Sequence, residues 1–263
     1  MNINNLGLLN MFSTIINGDE HDSDYAITNY ILNNIDNLSA ISINEVVEEA
    51  FVSRSSVRRF CNRLGYNNFS ELKNSLTDII FPSNIHLREF EDIKSYRKEL
   101  IEGLSNMIRD VNRMVTDNII EYLVETINKY EDILLISANN TSSNLVKFQQ
   151  ELFYAKKVVR LINNNFDSKF LKKVSRQSSL IFVVSVSGVF ANAINDSISE
   201  MPGKKILISA SRDEKLIESY DQVIYISKND VREDNYGLLG KYGMTYFFDL
   251  ISEEYIYKYK DNI

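Results

Sequence analysis

Residues 42–76 read SINEVVEEAFVSRSSVRRFCNRLGYNNFSELKNSL, and this stretch decides the first half of the fold. Ser42 followed three residues later by Glu45 is a capping-box pattern, in which a hydroxyl and a carboxylate satisfy the free amides of a helix start reciprocally. Behind it Ile43, Val46, Val47 and Ala50 recur at helical spacing until Phe51 and Val52 interrupt the run. Ser53 then caps a second helix, with Val57, Phe60, Cys61 and Leu64 repeating along one side. Gly65 follows its end, where a left-handed residue is wanted. Asn68-Phe69-Ser70-Glu71 starts a third helix that continues through Leu72 and Leu76. Two short helices joined by a turn of about three residues form the helix-turn-helix pattern.

The second of these helices carries the chemistry. With Val57, Phe60, Cys61 and Leu64 turned inward, an advance of about 100° per residue sets Ser55, Arg59 and Asn62 opposite, with Arg58 and Arg63 on the flanks. That face bears positive charge and hydrogen-bonding groups and no carboxylate. Residues 40–76 hold four acids (Glu45, Glu48, Glu49, Glu71) and five bases (Arg54, Arg58, Arg59, Arg63, Lys73), so a basic stripe sits within an acidic chain. The whole chain has 263 residues, a formal charge of -7 and a pI near 5.1. Global charge opposes a polyanionic partner, but DNA affinity follows phosphate neutralisation at local stripes. The same face also suits a solvated helix of an ordinary bundle, or a protein contact.

Within this stretch, Val52-Ser53-Arg54-Ser55-Ser56-Val57-Arg58-Arg59-Phe60, then Leu64-Gly65-Tyr66, Phe69 and Glu71-Leu72-Lys73, resemble the head of the RpiR family of transcription regulators. The family pattern runs V-S-x-x-T-x-x-R-F-x-x-x-L-G, then F and E-L-K. Ser56 stands for the usual threonine and keeps the hydroxyl; Arg54 and Ser55 stand where proline and alanine are common. The resemblance implies double-stranded DNA as partner, through Ser53, Arg54, Ser55, Ser56, Arg58, Arg59, Asn62, Arg63 and Lys73. Ser55, Ser56, Arg59 and Asn62 are the candidates for base contact, and Arg54, Arg58, Arg63 and Lys73 for phosphate contact.

The second half changes period. Short β-branched runs at 132–138, 157–162, 179–187, 204–211 and 222–227 alternate with helical segments, which predicts a five-stranded parallel sheet covered on both faces. The expected class is an all-α helix-turn-helix domain (1–80), a linker (81–104) broken at Pro82, and a three-layer α/β domain (105–263). A charged segment, Leu87 to Glu102, is a candidate connecting helix. Such sheets bind ligands beyond the carboxyl ends of their strands. Two of those ends carry hydroxyls: Asn139-Asn140-Thr141-Ser142-Ser143 after the first strand, and Ser185-Val186-Ser187-Gly188 after the third. Hydroxyls and free amides at a helix start suit a phosphate, although they also serve as plain helix caps.

Order and spacing over about 105–260 resemble the sugar isomerase (SIS) domain, the usual partner of an RpiR-type head. Its motifs are G-x-G-x-S after the first strand and S-x-S-G-x-T after the third. Ser142, Ser185, Ser187 and Gly188 match; Ala138 and Asn140 replace both glycines, and Phe190 replaces the threonine. The resemblance implies a sugar-phosphate effector held by Asn140, Thr141, Ser142, Ser143, Ser185, Ser187 and Gly188. It also implies a homodimer or higher even oligomer on an inverted-repeat operator. The aromatic-rich segment 236–259 reads as a helix that covers the sheet or contributes a dimer contact.

Other chemistries find little support. His21 and His86 both lie outside 105–263, so a Ser-His-Asp arrangement is not available to that domain, and one cysteine with two distant histidines excludes a Cys/His metal site. Walker A and G-x-G-x-x-G sequences are absent. The expectation is a regulator without enzymatic activity, cofactor or metal. Two alternatives stand beside it: a sugar-phosphate isomerase, and a regulator whose SIS domain only dimerises. The start MNINNLGLLNMF lacks a basic, long-apolar leader, and no run approaches the roughly 18–20 apolar residues of a membrane span. With Cys61 alone, a reduced cytoplasmic setting without membrane contact is expected.

Overall fold

The computed structural model describes residues 7–77, 92–138, 141–228 and 236–259. The chain divides into two compact units, Met1–Ile80 and Phe81–Ile263.

The first unit is helical among its described residues: α1 (Leu8–Ile16), α2 (Ser23–Asn33), α3 (Ile43–Glu49), α4 (Arg54–Arg63) and α5 (Phe69–Thr77). The local signals act as the physics of helix ends requires. The Ser42 hydroxyl accepts from the Glu45 amide at 3.3 Å, and the Glu45 carboxylate accepts from the Ser42 amide at 2.6 Å. The α4 end is a complete Schellman motif, since the Tyr66 amide donates to the Cys61 carbonyl (2.9 Å) and the Gly65 amide to Asn62 (3.1 Å). That geometry puts Gly65 at φ +86°, where a side chain would be strained. Val57, Phe60, Cys61 and Leu64 join Leu8, Phe12, Ile27, Ile31, Val46, Tyr66 and Leu72 in one core. Phe60 is fully buried there, which contributes about 2–3 kcal/mol by area. Burial also pushes the Cys61 thiol up to about 11.

In the second unit α6 (Ile93–Met114) and α7 (Asp117–Lys129) precede β1 (Asp132–Ser137). Then follow α8 (Ser142–Tyr154), β2 (Arg160–Ile162), α9 (Ser168–Val174), β3 (Ser179–Val184), α10 (Val189–Ala193), α11 (Asn195–Ser199), β4 (Lys204–Ser209), α12 (Glu214–Ile217) and β5 (Gln222–Tyr225). The chain closes through α13 (Tyr236–Leu238), a π-helical turn (Leu239–Gly243) and α14 (Met244–Tyr259). All five strands pair in parallel, in the order β2-β1-β3-β4-β5. Successive strand residues point to opposite faces. Ile133, Leu135, Leu180, Phe182, Val184, Ile206, Ile208 and Ile224 therefore share one face, packed with α7, α8 and α14 residues such as Leu123, Phe148, Phe247 and Phe248. Right-handed crossovers between parallel strands carry α9 to α12 to the other face.

Several sequence readings change here. Of the expected 81–104 linker, residues 81–91 lie outside the described residues. From Asp92, which caps α6 through its bond from the Ser95 amide, the chain is one continuous helix to Met114. The expected strand 157–162 contracts to Arg160–Ile162. Lys156, at φ +57°, ends α8 in a second Schellman motif, and the Lys157 amide donates to Leu152 at 2.8 Å. The other strands end earlier than expected, because Ala138, Ser185–Ser187, Ala210 and Ser211 belong to the loops at the sheet edge. In the C-terminal segment Phe247, Phe248, Ile251 and Tyr255 are buried in the unit's own core, as the reading of a helix that covers the sheet expects.

Candidate functional site

The outer face of α4 is built by its cap and its core. The Ser53 hydroxyl accepts from the Ser56 amide at 3.1 Å, fixing the first turn, and lies 2.7 Å from the Ser55 hydroxyl and 3.0 Å from that of Ser56. Val57, Phe60 and Cys61 anchor the helix from beneath. Ser53, Arg54, Ser55, Arg58, Arg59, Asn62 and Arg63 are consequently exposed, and Ser56 is half-buried.

The cations of this face differ in their partners. Arg59 reaches the Ser56 hydroxyl at 3.3 Å, a bond within its own helix. Arg54 donates to the Asn44 side chain of α3. Arg63 pairs with Asp24 of α2, whose side chain is only 14% exposed. Arg58 is exposed and forms no ion pair or hydrogen bond among the described residues. Lys73 of α5 is half-buried and donates to the Ile41 carbonyl at 3.1 Å, tying α5 to the start of α3. Asp24 was not visible as a participant from sequence: 39 positions separate it from Arg63. Arg54, Arg58, Arg59, Asn62 and Arg63 thus form one surface, and Lys73 is bound to backbone beside it.

A second candidate site lies at the sheet edge. In the order 2-1-3-4-5 the connection after β1 runs to β2 on one side and the connection after β3 runs to β4 on the other, which makes β1/β3 the topological switch point, where sheets of this kind bind ligands. Ser137 pairs in register with Val184, so the two hydroxyl-bearing loops leave adjacent strands. Thr141 and Ser142 are buried at the start of α8, and Ser143 is exposed. Asn140 and its neighbour Asn139 lie outside the described residues. The Ser185 hydroxyl accepts from the Ala191 amide at 3.0 Å, which leaves its proton to donate. Ser187 is half-buried, and Gly188 turns at φ +78°. A Cβ on Gly188 would meet the Ser211 side chain at 2.7 Å, so any other residue there would be crowded as well as strained. Ser137 is fully buried, and its hydroxyl has no hydrogen-bond partner among the described residues.

Phe190, at the position of the family threonine, is 6% exposed and meets Phe166 edge-on with ring centroids 5.0 Å apart. Its ring belongs to the packing on that side of the sheet. Sequence reading also missed Asn144. Its amide donates to the Gly240 carbonyl at 3.0 Å and its oxygen accepts from Thr245, so the helix that follows the first loop holds the π-helical turn.

Residues 15–82 match the family of helix-turn-helix domains described as the rpiR family. The N-terminal unit is an rpiR-family helix-turn-helix domain. The rpiR-type head thus presents α4 as the second helix of its pair, and α3 as the first. No curated protein matches the chain. Among solved structures, the Vibrio vulnificus NanR protein complexed with ManNAc-6P has 15% identity, with 97% of this chain and 93% of that one covered at a TM-score of 0.51. That likeness is one of fold alone: a helical unit followed along the chain by a parallel α/β unit. The sugar isomerase domain of an RpiR transcription factor from Sphaerobacter thermophilus is 14% identical, over 61% of this chain and 91% of that one, at 0.48. A Methanococcus jannaschii protein, whose structure was taken to imply 3-hexulose-6-phosphate isomerase function, is 16% identical over 61% and 90%, at 0.47.

Proposed function

We propose that this chain is a DNA-binding transcription regulator, and that α4 enters the major groove of an inverted-repeat operator. The observation that carries the reading is the acid-free outer face of α4: exposed Arg54, Arg58, Arg59 and Arg63 on a helix whose cap, C-terminal motif and apolar face are all satisfied. Ser53, Ser55 and Ser56 lie at the N-terminal turn of α4, where a recognition helix meets base edges and sugar-phosphate, and Arg59 and Asn62 continue the same exposed face toward its C-terminal end. Arg54, Arg58, Arg63 and Lys73 neutralise phosphate charge. Asp24 makes the Arg63 contribution the weaker one, because the arginine must leave a partner to reach a phosphate. Homodimers, or higher even oligomers, place two heads on the two half-sites.

A phosphorylated sugar is the effector in this reading. It sits at the β1/β3 switch point, with Asn140, Thr141, Ser142, Ser143, Ser185, Ser187 and Gly188 around its phosphate. The NanR structure, with a sugar phosphate bound, supports that ligand class. The buried Ser137 hydroxyl, without a partner among the described residues, supports a polar occupant nearby, since a buried hydroxyl left unsatisfied is costly. The effector acts by binding two arrangements of the heads unequally. No catalytic step is assigned: both histidines lie outside 105–263.

The test is DNA retardation by wild-type protein and by Arg58→Glu/Arg59→Glu, with a thermal-shift panel of sugar phosphates. The reading expects binding by the wild type, its loss in the pair with the fold intact, and a melting shift with at least one sugar phosphate. Turnover of a sugar phosphate together with no DNA retardation would replace it by the isomerase. A flat panel with DNA binding retained would leave an α/β unit that only dimerises.

A further inference from the structure

We infer that Phe51, in the turn between α3 and α4, is a DNA-contact residue that lays its ring on apolar groove-wall surface beside the recognition helix. The inference rests on the DNA-binding reading above and adds an apolar contact to a site otherwise made of cations and hydroxyls.

Two observations single Phe51 out. Its side chain is 93% exposed, and among the described residues of the helical unit it is the one large hydrophobic side chain left to water. Its backbone is left-handed, at φ +52°, a conformation that an aromatic residue adopts at a penalty and glycine does not. The backbone geometry follows from the turn: the α3 end closes with the Val52 amide donating to the Val47 carbonyl at 3.1 Å. Glycine would meet that requirement without strain and without exposing a ring. Folding therefore explains the position's conformation but not its side chain. Val52, the next residue, turns back to pack against the core, so chain direction fixes the ring outward.

The place of the turn says what the ring meets. In a helix-turn-helix pair the first helix crosses the phosphate backbone and the N-terminal residues of the second meet the base edges. Phe51 precedes the Ser53 cap of α4 by two residues, so it stands between those two contacts, at the wall of the groove. The apolar surfaces there are thymine C5-methyl groups and deoxyribose C–H faces. Either would cover the ring on binding and remove its exposure.

The experiment uses full-length protein and a duplex recovered from genomic DNA on the wild type. Phe51→Gly and Phe51→Asn both tolerate the left-handed backbone, so their melting midpoints should match or exceed that of the wild type. Binding should weaken by about tenfold per head in both, the scale of one desolvated aromatic contact. Phe51→Tyr, which keeps the ring, should restore it. The slope of log K against log salt should stay as in the wild type, because no phosphate contact is removed. The same duplex made with uracil for thymine separates the two surfaces. If the ring sits on a methyl, the wild type loses affinity on uracil DNA and Phe51→Gly does not; if it sits on deoxyribose, both keep their own values.

Wild-type affinity in Phe51→Gly overturns the inference and leaves the DNA-binding reading standing. So does unchanged affinity with an altered oligomeric mass, which assigns the ring to a protein contact. A wild type that retains no DNA removes both.

Discussion

Arg58 gives the most quantitative test of the DNA-binding surface, because its side chain is exposed and has no partner to lose among the described residues. If it neutralises one phosphate per head, Arg58→Ala should lower the slope of log K against log salt by about 0.9 per head, or about 1.8 for a two-headed complex. At about 0.15 M salt that slope corresponds to about fivefold per head, about 1 kcal/mol, and so to about 30-fold for two heads. The fold should not respond: an exposed substitution of this kind changes stability by roughly 0.5 kcal/mol or less. Fluorescence anisotropy at four or five salt concentrations gives the slope, and thermal melting gives the control. A parallel line, displaced downward, would mean that Arg58 acts without touching a phosphate. An unchanged line would refute its place on the DNA face.

Three further outcomes follow from the same geometry. Arg63→Ala should change the salt slope less than Arg58→Ala, and destabilise the helical unit by about 1–3 kcal/mol, because the Asp24 side chain, only 14% exposed, loses its ion-pair partner; melting and salt titration together check both. Gly65→Ala should destabilise that unit by about 1–2 kcal/mol, since φ is +86° there and an L side chain is strained in that region, as urea unfolding would show. Cys61 should resist thiol reagents near pH 8 until the helical unit unfolds. Burial holds its thiol near 11 in the folded chain, against about 8.5 unfolded. The raised value makes the neutral thiol the folded form. Its contribution is therefore complete below about pH 8.5 and is lost as pH rises toward 11, which urea midpoints of wild type and Cys61→Ala across that range would reveal.

The features legible in the sequence are those that local chemistry sets. The Ser42–Glu45 capping box, the Ser53 cap, the Gly65 terminus and the inward set Val57, Phe60, Cys61 and Leu64 each need only a few consecutive residues to declare themselves. The order of strands and helices was equally legible, because the change from helical spacing to β-branched runs marks it. What escaped depends on contacts between distant parts of the chain. No pattern in α4 announces that Arg63 finds Asp24, or that Lys73 is bound to the Ile41 carbonyl. The shortening of β2 comes from Lys156 taking a left-handed conformation usually left to glycine. Phe190, which replaces the threonine of the family's ligand loop, is packed on Phe166, a residue from the preceding crossover. The helical C-terminal segment was expected, but its π-helical turn was not, because the Asn144 side chain that satisfies Gly240 comes from nearly 100 residues upstream.

The central claim is that the arginine-bearing face of α4 reads DNA. Selection of genomic fragments on the full-length protein, run in parallel on Arg58→Glu/Arg59→Glu, tests it most directly. The account predicts a few fragments strongly enriched by the wild type, sharing an inverted repeat, and none enriched by the charge-reversed pair. Equal recovery by the two proteins, with both folded and of equal oligomeric mass, would contradict it.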